Sequence, residues 1–390
     1  MSIEGRSDAI SGRIRLGMVG GGQGAFIGAV HRLAARMDDL YQFVAGALSS
    51  DAARSKTSGE ELGLAADRIY TDFREMAKAE ARRADSIEAV SIVTPNHMHY
   101  PAAKAFIEAG IHVICDKPMT LDLRQALALE KLLAKRRQVI FALTHNYSGY
   151  PMIRQARAMV AAGELGDIRL VQIEYPQDWL TNPIEKQGQK QASWRTDPAR
   201  TGAGGCVGDI GTHAYQLGCF VSGLTLDELS ADLTTFVKGR RVDDNVNVML
   251  RYKGGARGMI WASQVAPGHE NGLKIRVYGS KGGLEWVQAD PNYLWHTPFG
   301  EPKRLITRGG AGSNAAAGRV TRVPPGHPEG YLEGFANIYT EVARAILAKR
   351  AGKKLDKDVQ FPGIADGVAG MAFIEACVKS SARNGKWTKV

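Results

Sequence analysis

The 390-residue sequence has no apolar run of transmembrane length, and its opening stretch, Met1 to Arg13, is polar and lacks the hydrophobic centre of a secretory signal. Both absences predict a cytoplasmic protein with no membrane partner. Cysteine is scarce: Cys115, Cys206, Cys219 and Cys377 are scattered, form no CxxC pair and are too sparse for a disulfide framework. Reduced, mostly buried thiols are expected. The formal charge is +10, yet no long basic cluster carries it; the longest is Lys135-Arg136-Arg137, and aromatic residues do not alternate with basic ones as a single-strand groove requires. Nucleic acid is therefore not the expected partner. Internal repeats are absent too.

What is present is the length and composition of a two-domain globular chain, with 44% apolar and 23% charged residues. From Ile14 to Thr144, short apolar runs alternate with amphipathic stretches, the βαβ pattern of a parallel sheet covered on both faces. Strands are expected at Ile14 to Val19, Phe43 to Leu48, Ala89 to Val93, Ile111 to Cys115 and Val139 to Leu143. Helices are expected at Ile27 to Met37, Ala53 to Leu62, Phe73 to Arg83, Ala102 to Ala109 and Leu121 to Ala134. Right-handed crossovers then give a dinucleotide-type (Rossmann) α/β domain over 14–146, after a tail over 1–13.

Beyond Asn146 the pattern changes. A helix from Met152 to Ala162 precedes strand-like segments at Ile168 to Tyr175, Leu229 to Phe236, Val246 to Tyr252, Ala256 to Ser263, Leu273 to Tyr278 and Gly283 to Val287. Turns such as Lys253-Gly254-Gly255 join neighbours as hairpins, so 147–390 reads as an α+β domain with a large, mainly antiparallel sheet. Arg308 to Arg322, rich in small and polar residues, reads as a long mobile loop. Helices return at Tyr331 to Ala348 and Ile364 to Arg383, and the terminal helix is expected to pack back on the first domain.

Three clusters carry chemistry. The first strand runs into Gly20-Gly21-Gly22-Gln23-Gly24-Ala25-Phe26-Ile27-Gly28, where glycines let backbone amides approach a diphosphate at a helix N-terminus. At the end of the second strand, Ser49, Ser50 and Arg54 stand where an NAD-specific fold places an acidic residue, which gives a slight preference for NADP over NAD; Asp51 remains within reach of the ribose. Thr94-Pro95-Asn96-His97-Met98-His99 and Cys115-Asp116-Lys117-Pro118 each follow a buried strand and lie at the sheet's carboxyl edge, where open α/β sheets hold ligands. His97 and His99 lack a third ligand of suitable spacing, so no metal is expected. The third cluster is Gly204-Gly205-Cys206-Val207-Gly208-Asp209-Ile210-Gly211-Thr212-His213, whose four-residue spacing puts Asp209 and His213 on one helix face. By itself that pair reads more readily as a capping aspartate and a core histidine. Lysine beside a nicotinamide with an Asp/His pair nonetheless suits alcohol oxidation: the ammonium stabilises a developing alkoxide, the imidazole takes its proton, and the carboxylate orients.

In this order the clusters resemble the Gfo/Idh/MocA family of oxidoreductases, from Ile14 through Trp387, with Asp116-Lys117-Pro118 standing where the family usually has EKP. The resemblance implies catalytic roles for Lys117, His213 and Asp209, and Trp194-Arg195 resembles a recurring pair near cofactor or substrate. Its glycine loop is about three residues longer than the family's when His31 is aligned with the family's helix histidine, which makes Gly28 the third glycine. Expected NAD(P) contacts are Gly20, Gly22, Gln23, Gly24, Ala25, Phe26, Ile27, Ser49, Ser50, Arg54, Thr94, Pro95, Asn96, His99, Asp116, Lys117, Pro118, Asn146, Trp194 and Arg195. Tyr147, Tyr150, Gln177 and Asp178 are expected to join Lys117, Asp209 and His213 at the substrate.

The implied activity is hydride transfer between a nicotinamide cofactor and a secondary alcohol or ketone of a sugar, glycoside or inositol. The alternatives are an NAD-dependent glycosidase that oxidises transiently and a non-catalytic sugar or dinucleotide sensor. A homodimer or homotetramer through the C-terminal sheet is also implied, since a large open sheet face needs cover.

Overall fold

Short apolar runs form the strands of the first unit, and the stretches between them coil because their apolar residues recur on one face. The computed structural model describes residues 12–390, so residues 1–11 of the expected tail lie outside the described residues. The elements are β1 (Ile14–Gly20), α1 (Phe26–Met37), β2 (Tyr41–Ala47), α2 (Ala52–Glu61), α3 (Phe73–Glu80), β3 (Ala89–Val93), α4 (His99–Glu108), β4 (His112–Cys115), α5 (Leu123–Lys135) and β5 (Phe141–Leu143). Asp72 starts α3 by accepting the Arg74 and Glu75 amides. All five strands pair in parallel in the order β2-β1-β3-β4-β5. The chain therefore reverses its direction of travel between β1 and β3, and the ends of those strands open onto a switch point.

Two compact units divide the chain: residues 12–120, Arg124–Gly149 and Tyr331–Val368 form one, and Leu121–Leu123, Tyr150–Gly330 and Ala369–Val390 the other. The second opens with α6 (Pro151–Ala161) and β6 (Ile168–Pro176), followed by α7 (Lys190–Arg195), α8 (Pro198–Thr201) and α9 (Thr212–Ser222). Then come β7 (Leu226–Thr234), β8 (Asn245–Tyr252), β9 (Arg257–Ser263), β10 (Lys274–Gly279), β11 (Gly282–Val287), β12 (Tyr293–Pro298), β13 (Arg304–Thr307) and α10 (Ala315–Gly318). With the short β14 (Thr388–Lys389), the described residues build a nine-stranded sheet ordered β13-β12-β11-β10-β6-β9-β8-β7-β14. Its pairs are antiparallel except β6 with β9. Helix α9 lies close on β6, because a Cβ at Gly218 would stand 3.0 Å from Ile173 Cδ1. Leu170 paired with Tyr278, and Met249 with Met259, are exposed on the sheet.

The stretch read as a mobile loop is tied down. Gln155 Nε2 donates to Gly312 O at 3.0 Å and its Oε1 accepts from Asn314 N at 2.7 Å, while Arg308 is buried on Glu329 at 3.0 Å. These partners are distant in sequence, so no local period announces them. The long helix α11 (Tyr331–Arg350) belongs to the first unit, where Phe335, Tyr339, Val342 and Ile346 fill a core with Ile14, Leu16, Val30 and Ala34. Helix α12 (Ile364–Ser381) follows and contributes Phe373, which stacks on Tyr215 of α9 at 4.5 Å between centroids. Among the described residues no helix is long and apolar enough to cross a membrane.

Candidate active site

In the first unit, β1 ends in a glycine turn in which Gly20, Gly21 and Gly24 take positive φ angles of 82°, 76° and 72°. A Cβ at Gly28 would stand 2.3 Å from Gly21 Cα, so this glycine lets α1 touch the loop, the task of a third glycine in a dinucleotide fold. Ala25 is the N-cap of α1, no side chain caps it, and no acidic residue stands in the first turn. The positive end of the helix is thus left for an anion. Gly21 to Phe26 line a cleft of about 360 Å³ together with Ala29, Arg32, Ser58 and Glu61. The loop is braced by Gln23, whose amide N donates to Ser58 Oγ at 3.0 Å and whose side chain donates to Glu61 at 2.6 Å. At the end of β2, Asp51 spends its carboxylate as the cap of α2 on Arg54 N at 2.7 Å, and Ser49 Oγ accepts from Asp51 N at 3.1 Å. Ser50 and Arg54 are exposed.

The carboxyl edge gathers Thr94, Asn96, His99, Asp116, Lys117, Thr144, His145 and Asn146 from the ends of β3, β4 and β5. Asp116 Oδ1 accepts from the Lys117 backbone amide and from Thr144 Oγ1, both at 2.9 Å, so this carboxylate is turned into the protein as a brace. The Lys117–Pro118 peptide is cis. His99, expected at the cofactor, is 1% exposed and has each ring nitrogen on a backbone carbonyl, Nδ1 at 2.7 Å from Pro118 O and Nε2 at 2.8 Å from Thr94 O. Burial pushes its pKa down, against Asp116 and the two carbonyls, which favour the proton. His145 falls to about 3 through burial and Lys117. Two buried atoms along this edge, Thr94 Oγ1 and Asn146 Nδ2, lack a partner among the described residues, as expected of groups that await a polar ligand. The uncapped helix, the glycine cradle and these two atoms fit a dinucleotide.

Beneath that edge lies a network the sequence did not announce. Tyr339 of α11 joins Ser91 Oγ at 2.6 Å and His31 Nδ1 at 2.9 Å, and its carbonyl accepts from Tyr41 OH at 2.9 Å. Burial lowers His31 to about 4.

In the second unit, Val207–Gly211 forms a π-helical turn that runs into α9, so Asp209 and His213 fall one wide turn apart, a feature often kept at functional sites. Asp209 is not the cap. That task falls to Asp243, whose two oxygens accept Gly205 N at 2.6 Å and Val207 N at 2.8 Å. Gly205 has to be glycine because a Cβ would meet Asp243 O at 2.2 Å. Burial raises the Asp243 carboxyl to about 6 against those amide bonds. Asp209 Oδ2 instead accepts from Gln264 Nε2 at 2.8 Å and Arg195 Nε at 3.2 Å. The Arg195 guanidinium lies 4.1 Å from the Trp194 ring centroid and 5.9 Å from that of Trp179. His213 is almost buried, with the Tyr175 ring 6.3 Å away.

A side-chain relay runs beside it: Trp179 Nε1 donates to Gln177 at 3.1 Å, Gln177 to Asn271 at 2.8 Å and Asn271 to Gln288 at 2.8 Å. Asp178 accepts weakly from Gly268 N at 3.4 Å. Tyr150, expected at the substrate, is a core residue, 1% exposed with its ring edge-on to Trp286. Tyr147 is buried in the first unit. Gln264, Asn271 and Asp243 are the residues the sequence reading missed.

Residues 14–145 match the oxidoreductase family with an NAD-binding Rossmann fold, and residues 153–285 match the GFO/IDH/MocA C-terminal domain. An oxidoreductase from Sinorhizobium meliloti is 60% identical, with a TM-score of 0.89 over 97% of this chain and 100% of its own. An inositol dehydrogenase homolog from Azotobacter vinelandii, solved with NADH and myo-inositol, is 37% identical, with a TM-score of 0.92 over 98% of each chain. The uncharacterized oxidoreductase YfiI of Bacillus subtilis (strain 168) is 36% identical over 384 residues, 97% of this chain and 98% of its own. A glycine cradle on a parallel sheet, a lysine at that sheet's carboxyl edge and matches over both parts of the sequence agree: the chain belongs to the Gfo/Idh/MocA family of NAD-dependent oxidoreductases.

Proposed function

We propose that the protein oxidises a ring hydroxyl of a cyclic polyol, an inositol or a pyranose, or reduces the corresponding ketone. The observation that carries this reading is the Asp209 carboxylate, pinned by Gln264 and Arg195 one turn before His213. A nicotinamide, when bound, supplies the hydride acceptor. Lys117 donates a hydrogen bond to the reacting oxygen and so lowers the cost of alkoxide character. His213 takes the hydroxyl proton, and Asp209 orients that imidazole or a neighbouring hydroxyl. Gln177 and Asp178 bind further hydroxyls, with Trp179 offering a ring face. The relative solved with NADH and myo-inositol supports the substrate class.

The diphosphate is assigned to Gly20, Gly22, Gln23, Gly24, Ala25, Phe26 and Ile27. The slight preference for NADP rests on Ser49, Ser50 and Arg54 around a position where the nearest carboxylate, Asp51, already serves as a cap; the relative's NADH weighs the other way. Exposed Leu170, Tyr278, Met249 and Met259 support assembly into a homodimer or homotetramer through the sheet, which light scattering of the pure protein decides.

The test is turnover on myo-inositol and a panel of pyranoses with NAD and with NADP, for the wild type and Lys117→Met. Loss of activity on every substrate, with cofactor affinity kept, is expected of the variant. Undiminished turnover by Lys117→Met defeats the assignment, and a clearly higher kcat/KM with NAD defeats the NADP preference.

A further inference from the structure

Lys117 is bracketed. On its N-terminal side Asp116 is fixed by Thr144, with the Lys117 amide folded onto the same carboxylate oxygen. On its C-terminal side the contact is made by His99, a buried residue to which the proposed chemistry gives no task. Its ring spans two strand ends, from Thr94 O after β3 to Pro118 O after β4, at 2.8 and 2.7 Å. Carbonyl oxygens only accept, so a neutral ring, with its one N–H, donates to one of them, and only the imidazolium donates to both.

We propose that His99 is a positioning residue for Lys117: the Nδ1–H bond to Pro118 O sets the backbone from which the lysine departs, with the ring seated between that carbonyl and Thr94 O. The idea rests on Lys117 being the substrate-polarising group, and its test separates the two. A reacting group displaced by about 1 Å loses on the order of 100-fold in rate, so a positioning bond has a kinetic signature that a merely stabilising one lacks.

Two amide replacements divide the ring's functions. His99→Asn offers an N–H near the Nδ1 position and keeps the Pro118 bond; His99→Gln offers one near Nε2, which meets Thr94 O and leaves Pro118 O without its donor. Activity of the Asn variant is expected within about 3-fold of wild type, whereas the Gln variant loses about 30-fold in kcat with little change in the KM for NAD.

A second readout needs no turnover. After reductive ¹³C-methylation, the Lys117 resonance, identified by its absence from Lys117→Met, is expected to move in His99→Gln and to stay in His99→Asn. Equal kcat and unmoved resonances in both variants overturn the proposal. So does a nitrogen spectrum of the wild-type ring with Nδ1 unprotonated at pH 7, which decides the matter even if a variant fails to fold. Should Lys117→Met remain active, the functional reading falls, and the methyl resonance alone still decides what His99 does.

Discussion

The two units bury polar groups by opposite means. In the first, imidazoles sit among apolar residues and are held neutral: burial, with Lys117 or Lys349 adding to it, takes His145 to about 3 and His112 to about 4, and burial takes His31 to about 4. In the second, acidic and basic side chains are buried in pairs. Arg240 bonds Glu185 at 3.0 Å and Asp244 at 3.2 Å, Arg308 bonds Glu329, and Asp209 receives Arg195 and Gln264. The Arg68–Glu80 pair is a first-unit exception. Desolvation is costly in both; one unit avoids it by giving up the proton, the other offsets it with partners. The difference tells where acid should strike.

The largest effect is expected there. A histidine whose folded pKa lies below its unfolded value near 6.5 binds fewer protons folded than unfolded, so its contribution is complete above pH 6.5 and is lost as pH falls toward 4. Each tenfold loss of proton affinity on folding is worth about 1.4 kcal/mol, so the three together amount to several kcal/mol. Asp243 has the opposite sign. Its folded pKa of about 6 exceeds the ordinary carboxylate value of 3.8, so the second unit gains as pH falls from 6 to 3.8. Hydrogen exchange at pH 7 and at pH 4.5 should show amides of β1, β3 and β4 losing protection while those of α9 hold. Uniform loss across both units would break the comparison.

The next effect is Asp243 itself. Asp243→Ala strands the Gly205 and Val207 amides and is expected to destabilise by about 3 kcal/mol at pH 7; Asp243→Asn, which keeps one acceptor, by about half as much. Thermal unfolding across pH 4 to 7 checks both values. It should also show a steeper loss of stability with falling pH in either variant, because the opposing carboxyl is gone.

How far the sequence revealed all this follows the same division. Strands buried on both faces of a parallel sheet write themselves as apolar runs, so β1 to β5 and the lysine at the end of β4 were legible to within a residue or two. Strands β12 and β13, at one end of the sheet, were not: His296 and the flanking prolines break their alternation, and their side chains are largely exposed or half-buried. Glycine at 205 was visible, but the reason for it, Asp243, lies 38 residues away. The edge-on contact of Tyr150 with Trp286 left no signal either, because an aromatic residue looks the same in sequence whether it faces a sugar or another ring. Partners that meet across long loops leave no period to read.

The smallest effect sharpens the comparison within the site. Gln264 Nε2 and Arg195 Nε both donate to Oδ2 of Asp209, so a half-shielded carboxylate oxygen has two donors on it. Gln264→Glu replaces a donor with a like charge at the same 2.8 Å separation, and two carboxylates that close share a proton. The acid limb of the kcat/KM profile is then expected to rise by about one pH unit, equivalent to about 1.4 kcal/mol. Gln264→Leu removes the donor without adding charge, and with Arg195 still in place it should move the limb in the same direction by less. Substrate oxidation followed by the absorbance of the reduced nicotinamide from acid to alkaline pH separates the three profiles; if Gln264→Glu leaves the limb where it was, Asp209 does not titrate in turnover, and the compensated charge of the second unit serves the fold alone.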